Sequence, residues 1–368
     1  MTSKLFEPIQ LRELRLANRI MVSPMCQYSA DNGSATDWHM MHLGHLAMGG
    51  AGLLMIEATA ADPVGRITPG CLGLWSDQNE EALGRVIRAI RQISDIKIGI
   101  QLSHAGRKGS SAQPWNGGGW IGPDAGGWMA VAPSALAFRE GDPPPRALAA
   151  SELPGLVESF SRAVKRADRL GLDAIEIHGA HGYLLHSFLS GFSNQRTDEY
   201  GGAFENRTRF PLELFKAMRA AWPAAKPMGV RVSASDYMPG GWDIAETLRY
   251  GAALKALGCD WLDCSGGGIS LKQQLTLAPG YQVPYAEQVR NALDIPTIAV
   301  GLITDAEQAE AIIASGRADM VALARGMLYD PRWAWHAAEK LGAQVRPPKQ
   351  YGRAAPRSAP KLFVEGTA

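Results

Sequence analysis

The sequence predicts an α/β fold, a (β/α)8 TIM barrel. Three observations carry that expectation: eight short apolar runs of β type, helical segments between them, and polar or glycine-rich residues gathered just past the same end of each run. Parallel strands covered on both faces read as continuous apolar runs rather than as alternation. A doubly wound sheet shares the strand-helix order and is the other architecture it allows. At 368 residues the chain suits one barrel domain with insertions, spanning 1–368.

The runs follow in order, each with its exit. Ile20 to Met25 leads into Pro24, Met25, Cys26, Gln27 and Tyr28, and Leu53 to Glu57 leads into Ala58 and Thr59. Ile98 to Leu102 carries Gln101 and opens into Ser103, His104, Ala105, Gly106 and Arg107. Ala174 to His178 ends on the turn His178-Gly179-Ala180-His181-Gly182-Tyr183. Met228 to Val232 carries Arg231, and Trp261 to Cys264 exits into Ser265 and three glycines. Pro296 to Val300 gives way to Gly301, and Met320 to Ala324 to Arg325. Barrel enzymes place their reacting groups at the C-terminal ends of strands, so these exits are the expected site.

About seventy residues separate the third run from the fourth, far more than a βα connection needs. Gly109 to Pro145 is rich in Gly, Pro and Trp and reads as an ordered excursion or partial lid. Helix then resumes near Ser151-Glu152-Leu153-Pro154, where Pro154 breaks a Ser-x-x-[DE] capping box. The tail 347–368, with Pro347, Pro348, Pro356 and Pro360, is expected to be extended and either frayed or docked on a neighbouring subunit.

Composition narrows the function. Lys plus Arg at 37 against Asp plus Glu at 36 leaves no excess charge for nucleic acid or an anionic membrane, which favours small-molecule partners. No run reaches membrane-spanning length and the start lacks a secretory apolar core, so a cytoplasmic protein is expected. Cys26, Cys71, Cys259 and Cys264 form no Cys-x-x-Cys pair, and no metal site is expected. His39, His42 and His45 recur every three residues, a spacing that spreads them around a helix as solvated or packed side chains. Gly117 to Gly122 matches Gly-x-Gly-x-x-Gly but follows no strand, so it fails as a dinucleotide motif.

The fourth exit holds the chemistry. His178 and His181 on one turn can donate to a single carbonyl or nitro oxygen and stabilise charge growing on it, while Tyr183 supplies a proton. Taken alone, the two histidines equally fit a helix cap or a His-x-x-His metal pair. Arg325 and Gly301 fall where barrels commonly hold phosphate, which suggests a phosphate-bearing cofactor.

With these residues on the page, the chain resembles the flavin-dependent ene-reductases of the Old Yellow Enzyme family, and within it the thermophilic-like branch. The likeness runs from Leu5 to about Arg353. Its most specific stretches are Ser23 to Tyr28, Gln101 to Arg107, His178 to Tyr183, and Ser193 to Gly202 with Glu205, Asn206 and Arg207. The resemblance implies noncovalent FMN at the barrel mouth, with NADPH or NADH as reductant. By position, it assigns Ser23, Pro24, Met25, Cys26 and Ala58 to one edge of the flavin, with the Cys26 thiol tuning its potential. Gln101 would meet the pyrimidine edge, Arg231 the N1 and O2 side, and Gly301, Ala324 and Arg325 the phosphate.

It further implies that His178 and His181 hold the oxygen of an activated alkene and that Tyr28 walls the pocket. Hydride would pass from flavin N5 to the β-carbon and a proton from Tyr183 to the α-carbon. Arg353, in Gln350-Tyr351-Gly352-Arg353, would reach a neighbouring active site in a homodimer or homotetramer, a solvated basic tail being the other reading. Two departures stand out: Ala203 replaces the Ser of the family's Tyr-Gly-Gly-Ser pattern, and Leu302 replaces a tryptophan found in the branch. The same scaffold also serves nitro-compound, xenobiotic or quinone reduction. A noncatalytic flavin-binding barrel is the alternative of a different class.

Overall fold

The computed structural model describes residues 3–364. The strands in chain order are β1 Ile9–Leu11, β2 Leu14–Leu16, β3 Ile20–Val22, β4 Leu53–Ala60, β5 Lys97–Ser103, β6 Val131–Ala132, β7 Arg146–Ala147, β8 Ala174–Gly179, β9 Met228–Ser233, β10 Leu262–Ser265, β11 Thr297–Ala299 and β12 Met320–Leu323. Eight of them close a barrel in the order β10-β11-β12-β3-β4-β5-β8-β9, every pairing parallel. All eight predicted runs are barrel strands, and the doubly wound alternative is excluded by closure.

The helices are α1 Asp37–Ala47, α2 Asp77–Arg91, α3 Leu153–Arg169, α4 Leu184–Leu189, α5 Phe204–Ala221, α6 Ile244–Ala256, α7 Val283–Leu293, α8 Ala306–Ala314, α9 Arg325–Tyr329 and α10 Trp333–Leu341. Strand alternation divides the apolar side chains between two cores. Ile20, Val22, Leu54 and Ile56 face the helical ring, while Met21, Leu53 and Met55 face the barrel axis. Leu11 and Leu16 of the β1–β2 hairpin join that axial cluster and close the lower end of the barrel. The eight-run reading did not include this hairpin, because its two three-residue strands are too short to show a period.

Higher along the axis the inward positions turn polar, with Gln101, Glu176, Arg231 and Asp263 all buried. The parallel register sets Gln101 beside Glu176 and Asp263 beside Arg231. β4 and β5 slip register between Ile56 and Thr59, so the irregularity falls on Glu57 and Ala58, at the mouth.

The long connection after β5 is ordered by short 3-10 turns and the two-residue parallel pair β6–β7. Helix α3 starts after the broken box. Pro154 lies in its first turn, where a missing N–H costs nothing, and Glu152 reaches back to accept from the Ala149 N–H at 2.8 Å. The tail is packed rather than frayed. It carries a 3-10 turn at Lys349–Tyr351 and docks on its own chain, with Phe363 packed edge-on against Trp335 and Val345 N–H bonded to Leu362 C=O. Residues 365–368 of the predicted tail lie outside the described residues. Among the described residues no helix is long and apolar enough to cross a membrane.

Candidate active site

The fourth barrel strand, β8, delivers Glu176 and His178 to the interior by its two-residue period, and the turn beyond adds His181 and Tyr183. The rings converge. His178 and His181 meet edge to face with centroids 5.1 Å apart, and His178 and Tyr183 do so at 4.8 Å. The turn is tight, with His181 at φ +60° and Gly182 at φ +74°. A side chain at Gly182 would fall 2.1 Å from the Gly268 carbonyl oxygen, so the position demands glycine.

A backbone hydrogen bond sets the His178 tautomer. His178 Nδ1 accepts from the Ala180 N–H at 3.3 Å, which leaves its proton on Nε2. His181 Nε2 lies 2.6 Å from Ser265 Oγ, and Ser265 in turn accepts from Gln282 Nε2 at 3.3 Å. In the arrangement where the Ser265 hydroxyl donates to His181 Nε2, that ring's proton sits on Nδ1. Burial first, and the Arg231 charge next, hold both imidazoles well below their ordinary pKa, so they act as neutral donors. Burial pushes Tyr183 well above the ordinary phenol range and keeps its proton on.

Beneath these rings lies a polar layer. Gln101 Nε2 donates to Glu176 Oε1 at 2.8 Å, Trp261 Nε1 donates to Glu176 Oε2 at 3.2 Å, and Arg231 Nε lies 3.2 Å from Asp263 Oδ2. Burial and then the Asp263 charge push the Glu176 carboxyl up; burial pushes Asp263 up, with Arg231 opposing. Neither acid was picked out in the sequence reading. The signal was present, since Glu176 lies two residues before His178 and so shares its face.

The first exit is held from behind. Glu57 Oε2 accepts the Gln27 N–H at 3.0 Å, and His39 Nε2 lies 3.3 Å from Glu57 Oε1 at full burial. His39 therefore packs against the site from α1. Cys26 is a free, half-buried thiol, pushed well up in pKa by burial, then by Cys71 and Glu57. Ser23, Pro24, Met25, Ala58 and Tyr28 lie along the same rim, and the Tyr28 ring meets Trp115 of the excursion at 6.1 Å.

A flavin nucleotide fits what the barrel leaves unmet. Ser23 Oγ is buried without a partner, while Arg231, paired through Nε with Asp263, keeps its cationic guanidinium beside the mouth. Gly301, after β11, adopts φ +116°, and a Cβ there would crowd Gln282 Oε1 at 3.0 Å and Tyr281 at 3.1 Å. That leaves bare backbone beside Ala324 and the exposed Arg325, the set that could hold a phosphate. Arg353 is exposed on the docked tail and is not joined to the histidine cluster within this chain by hydrogen bond, ion pair or ring contact among the described residues.

A closed parallel barrel with such a mouth defines a barrel oxidoreductase of the flavin-binding type. The chain belongs to the NADH:flavin oxidoreductase / NADH oxidase family, whose model matches residues 4–344, and which is the Old Yellow Enzyme family of the sequence motifs. It is 43% identical over 355 residues to the NADPH dehydrogenase of Bacillus subtilis, covering 96% of this chain and 99% of that protein. Among solved structures, morphinone reductase is 29% identical with a TM-score of 0.77, covering 94% of this chain and 91% of the other. A 2-naphthoyl-CoA reductase complex reaches a TM-score of 0.83 at 24% identity over 92% of this chain; this chain spans 52% of that one, and the likeness is one of fold. The protein is accordingly an FMN-dependent oxidoreductase.

Proposed function

We propose that this enzyme couples oxidation of NADPH to reduction of activated C=C bonds in enones, maleimides and nitroalkenes. When bound, FMN supplies the two-electron chemistry, taking a hydride from the nicotinamide and giving one to the acceptor. The observation that carries the reading is the convergence of His178, His181 and Tyr183 at the end of β8, beside Arg231.

His178 Nε2–H and His181 Nδ1–H bind the acceptor's carbonyl or nitro oxygen and polarise the alkene. Each donor contributes about 3 kcal/mol to the transition state by the usual worth of an oxyanion-hole donor. Tyr183, kept protonated by burial, gives its proton to the α-carbon. Arg231 offers a fixed cation where negative charge gathers on the reduced cofactor. Gln101 gives one amide N–H to Glu176, which leaves its carbonyl oxygen to accept and its second N–H to donate at the flavin's pyrimidine edge. The Cys26 thiol, with Ser23, Pro24, Met25 and Ala58, borders the other edge, and Gly301, Ala324 and Arg325 hold the phosphate.

Tyr28 walls the acceptor pocket. Arg353, exposed at the end of the tail's 3-10 turn, enters the site of a second copy in a homodimer or homotetramer. Leu302 in place of a tryptophan leaves room for bulkier acceptors, nitro compounds and quinones included.

An anaerobic titration with NADPH, followed by addition of cyclohexenone, tests the whole reading. The flavin absorbance should bleach with nucleotide and return with the enone. Bleaching without return would leave a nucleotide oxidase with another acceptor; no bleaching would leave a flavin-binding barrel without turnover.

A further inference from the structure

Four inward side chains form one layer across the barrel axis: Gln101 on β5, Glu176 on β8, Arg231 on β9 and Asp263 on β10. All four are buried, Glu176 and Asp263 completely. The layer thus holds two carboxyl groups and one guanidinium. With both acids ionised it carries a net negative charge in the barrel core, and a single proton neutralises it. Arg231 is committed to Asp263, with Nε 3.2 Å from Oδ2, so Glu176 has no ion pair of its own among the described residues. Its oxygens instead meet two N–H donors, Gln101 Nε2 at 2.8 Å and Trp261 Nε1 at 3.2 Å. A Cβ at Gly229 would fall 2.1 Å from the Trp261 ring, so that glycine lets the indole lie against β9.

The charged or titratable groups facing Glu176 are Arg231 from β9, Asp263 from β10 and, two residues along its own strand, the neutral His178. From β5 comes the amide of Gln101, and the floor below is apolar, with Met21, Met55, Ala174 and Ile298. Burial and then the Asp263 charge hold the Glu176 pKa up, with Arg231 opposing. Two N–H donors suit an ionised carboxyl, because a protonated one needs an acceptor for its own O–H. Gln101 can supply that acceptor. The terminal torsion of its side chain is broad and roughly two-fold, so turning the amide over sets Oε1 toward Glu176 and both N–H groups away from it.

We infer that Glu176 is a positioning residue that takes up a proton when the flavin is reduced and, through Gln101, turns hydrogen-bond donors toward the anionic ring. The inference rests on the placement of Gln101 and Arg231 at the flavin proposed above. Hydride from NADPH adds two electrons and one proton to the flavin, which gains one negative charge as NADP+ departs. That charge, beside a layer already one cation short, draws a second proton from solvent onto Glu176. The layer then carries no net charge, and Gln101 accepts the new O–H while its N–H groups face the ring. Reoxidation reverses both steps: the flavin gives its hydride to the acceptor, and Glu176 returns its proton to solvent.

The test is spectroelectrochemical titration of the FMN-loaded enzyme from about pH 6 to about pH 10, with infrared difference spectra between the oxidised and reduced forms. One proton per two electrons lowers the midpoint potential by about 30 mV per pH unit, each unit being a tenfold change in proton activity. Wild type should fall twice as steeply over part of that range, and reduction there should raise a protonated-carboxyl band. Glu176→Gln should keep the single-proton slope throughout and lack the band. A single-proton slope in wild type at every pH overturns the inference, as does a doubled slope that Glu176→Gln retains. Gln101→Leu separates the inference from the placement beneath it. A shifted midpoint keeps Gln101 at the ring, so that a failure of the slope falls on Glu176 alone; an unmoved midpoint overturns both.

Discussion

His186 Nε2 lies 2.9 Å from Asp236 Oδ1 with both side chains fully buried, while His186 Nδ1 accepts the Gly182 N–H at 2.9 Å. One imidazole thus bridges a carboxylate to the backbone of the turn between His181 and Tyr183. Burial works to raise the Asp236 pKa, but hydrogen bonds from His186, Ser190 and the Trp242 N–H hold it below its ordinary value. His186→Leu should cost about 3–5 kcal/mol, because it leaves a carboxylate buried without its partner. Urea denaturation reads the loss, and a cost below 1 kcal/mol would show that the pair does not hold the turn.

Tyr183→Phe should slow acceptor reduction by about a hundred- to ten-thousand-fold, the range for a lost general acid. Reduction of the flavin by NADPH should be unchanged. Stopped-flow measurement of the two half-reactions separates them, and equal slowing of both would remove Tyr183 from proton delivery. Since burial raises its pKa, the acceptor half-reaction should not fall with a Tyr183 titration below pH 9.

Glu176 links the site to pH. Its folded pKa is raised, by burial and by Asp263, so above the ordinary glutamate range the unfolded chain gives up this proton before the folded one does. The folded state then holds more protons, and stability falls as pH rises from that range toward the folded pKa. Glu176→Gln should remove this slope, so that its melting temperature declines less than wild type between pH 5 and pH 8. Parallel curves would mean that Glu176 titrates alike in both states.

Ala203 is the N-cap residue of α5, with its carbonyl accepting from Asn206 and Arg207 but no side chain to satisfy the first-turn N–H groups. Ala203→Ser restores an acceptor and should stabilise the protein by about 1 kcal/mol. A higher urea midpoint at unchanged slope is the expected reading.

Cys26→Ala should shift the flavin midpoint potential and change both half-reactions, since the thiol borders the reacting edge in the proposed site. Spectroelectrochemical titration measures it. An unmoved potential would leave Cys26 as a packing residue.

The sequence by itself determined the barrel and the end of it that matters. Strand runs such as Leu53 to Glu57 are continuous because both faces are buried, and His178 was legible because the exit position of a strand is a local property, whereas Gln101 and Arg231 took their proposed roles from the family resemblance. The hairpin Ile9 to Leu16 escaped because its apolar pairs acquire meaning only as the floor of a closed barrel.

The tertiary structure alone decided which groups share a field. Glu176 and Asp263 stand 87 positions apart in number, yet both border Arg231 because β8, β9 and β10 lie side by side. The Asp236–His186 pair and Glu57 behind Gln27 have the same origin. Charge, tautomer and pKa depend on distance and burial, and those exist only once the barrel has closed.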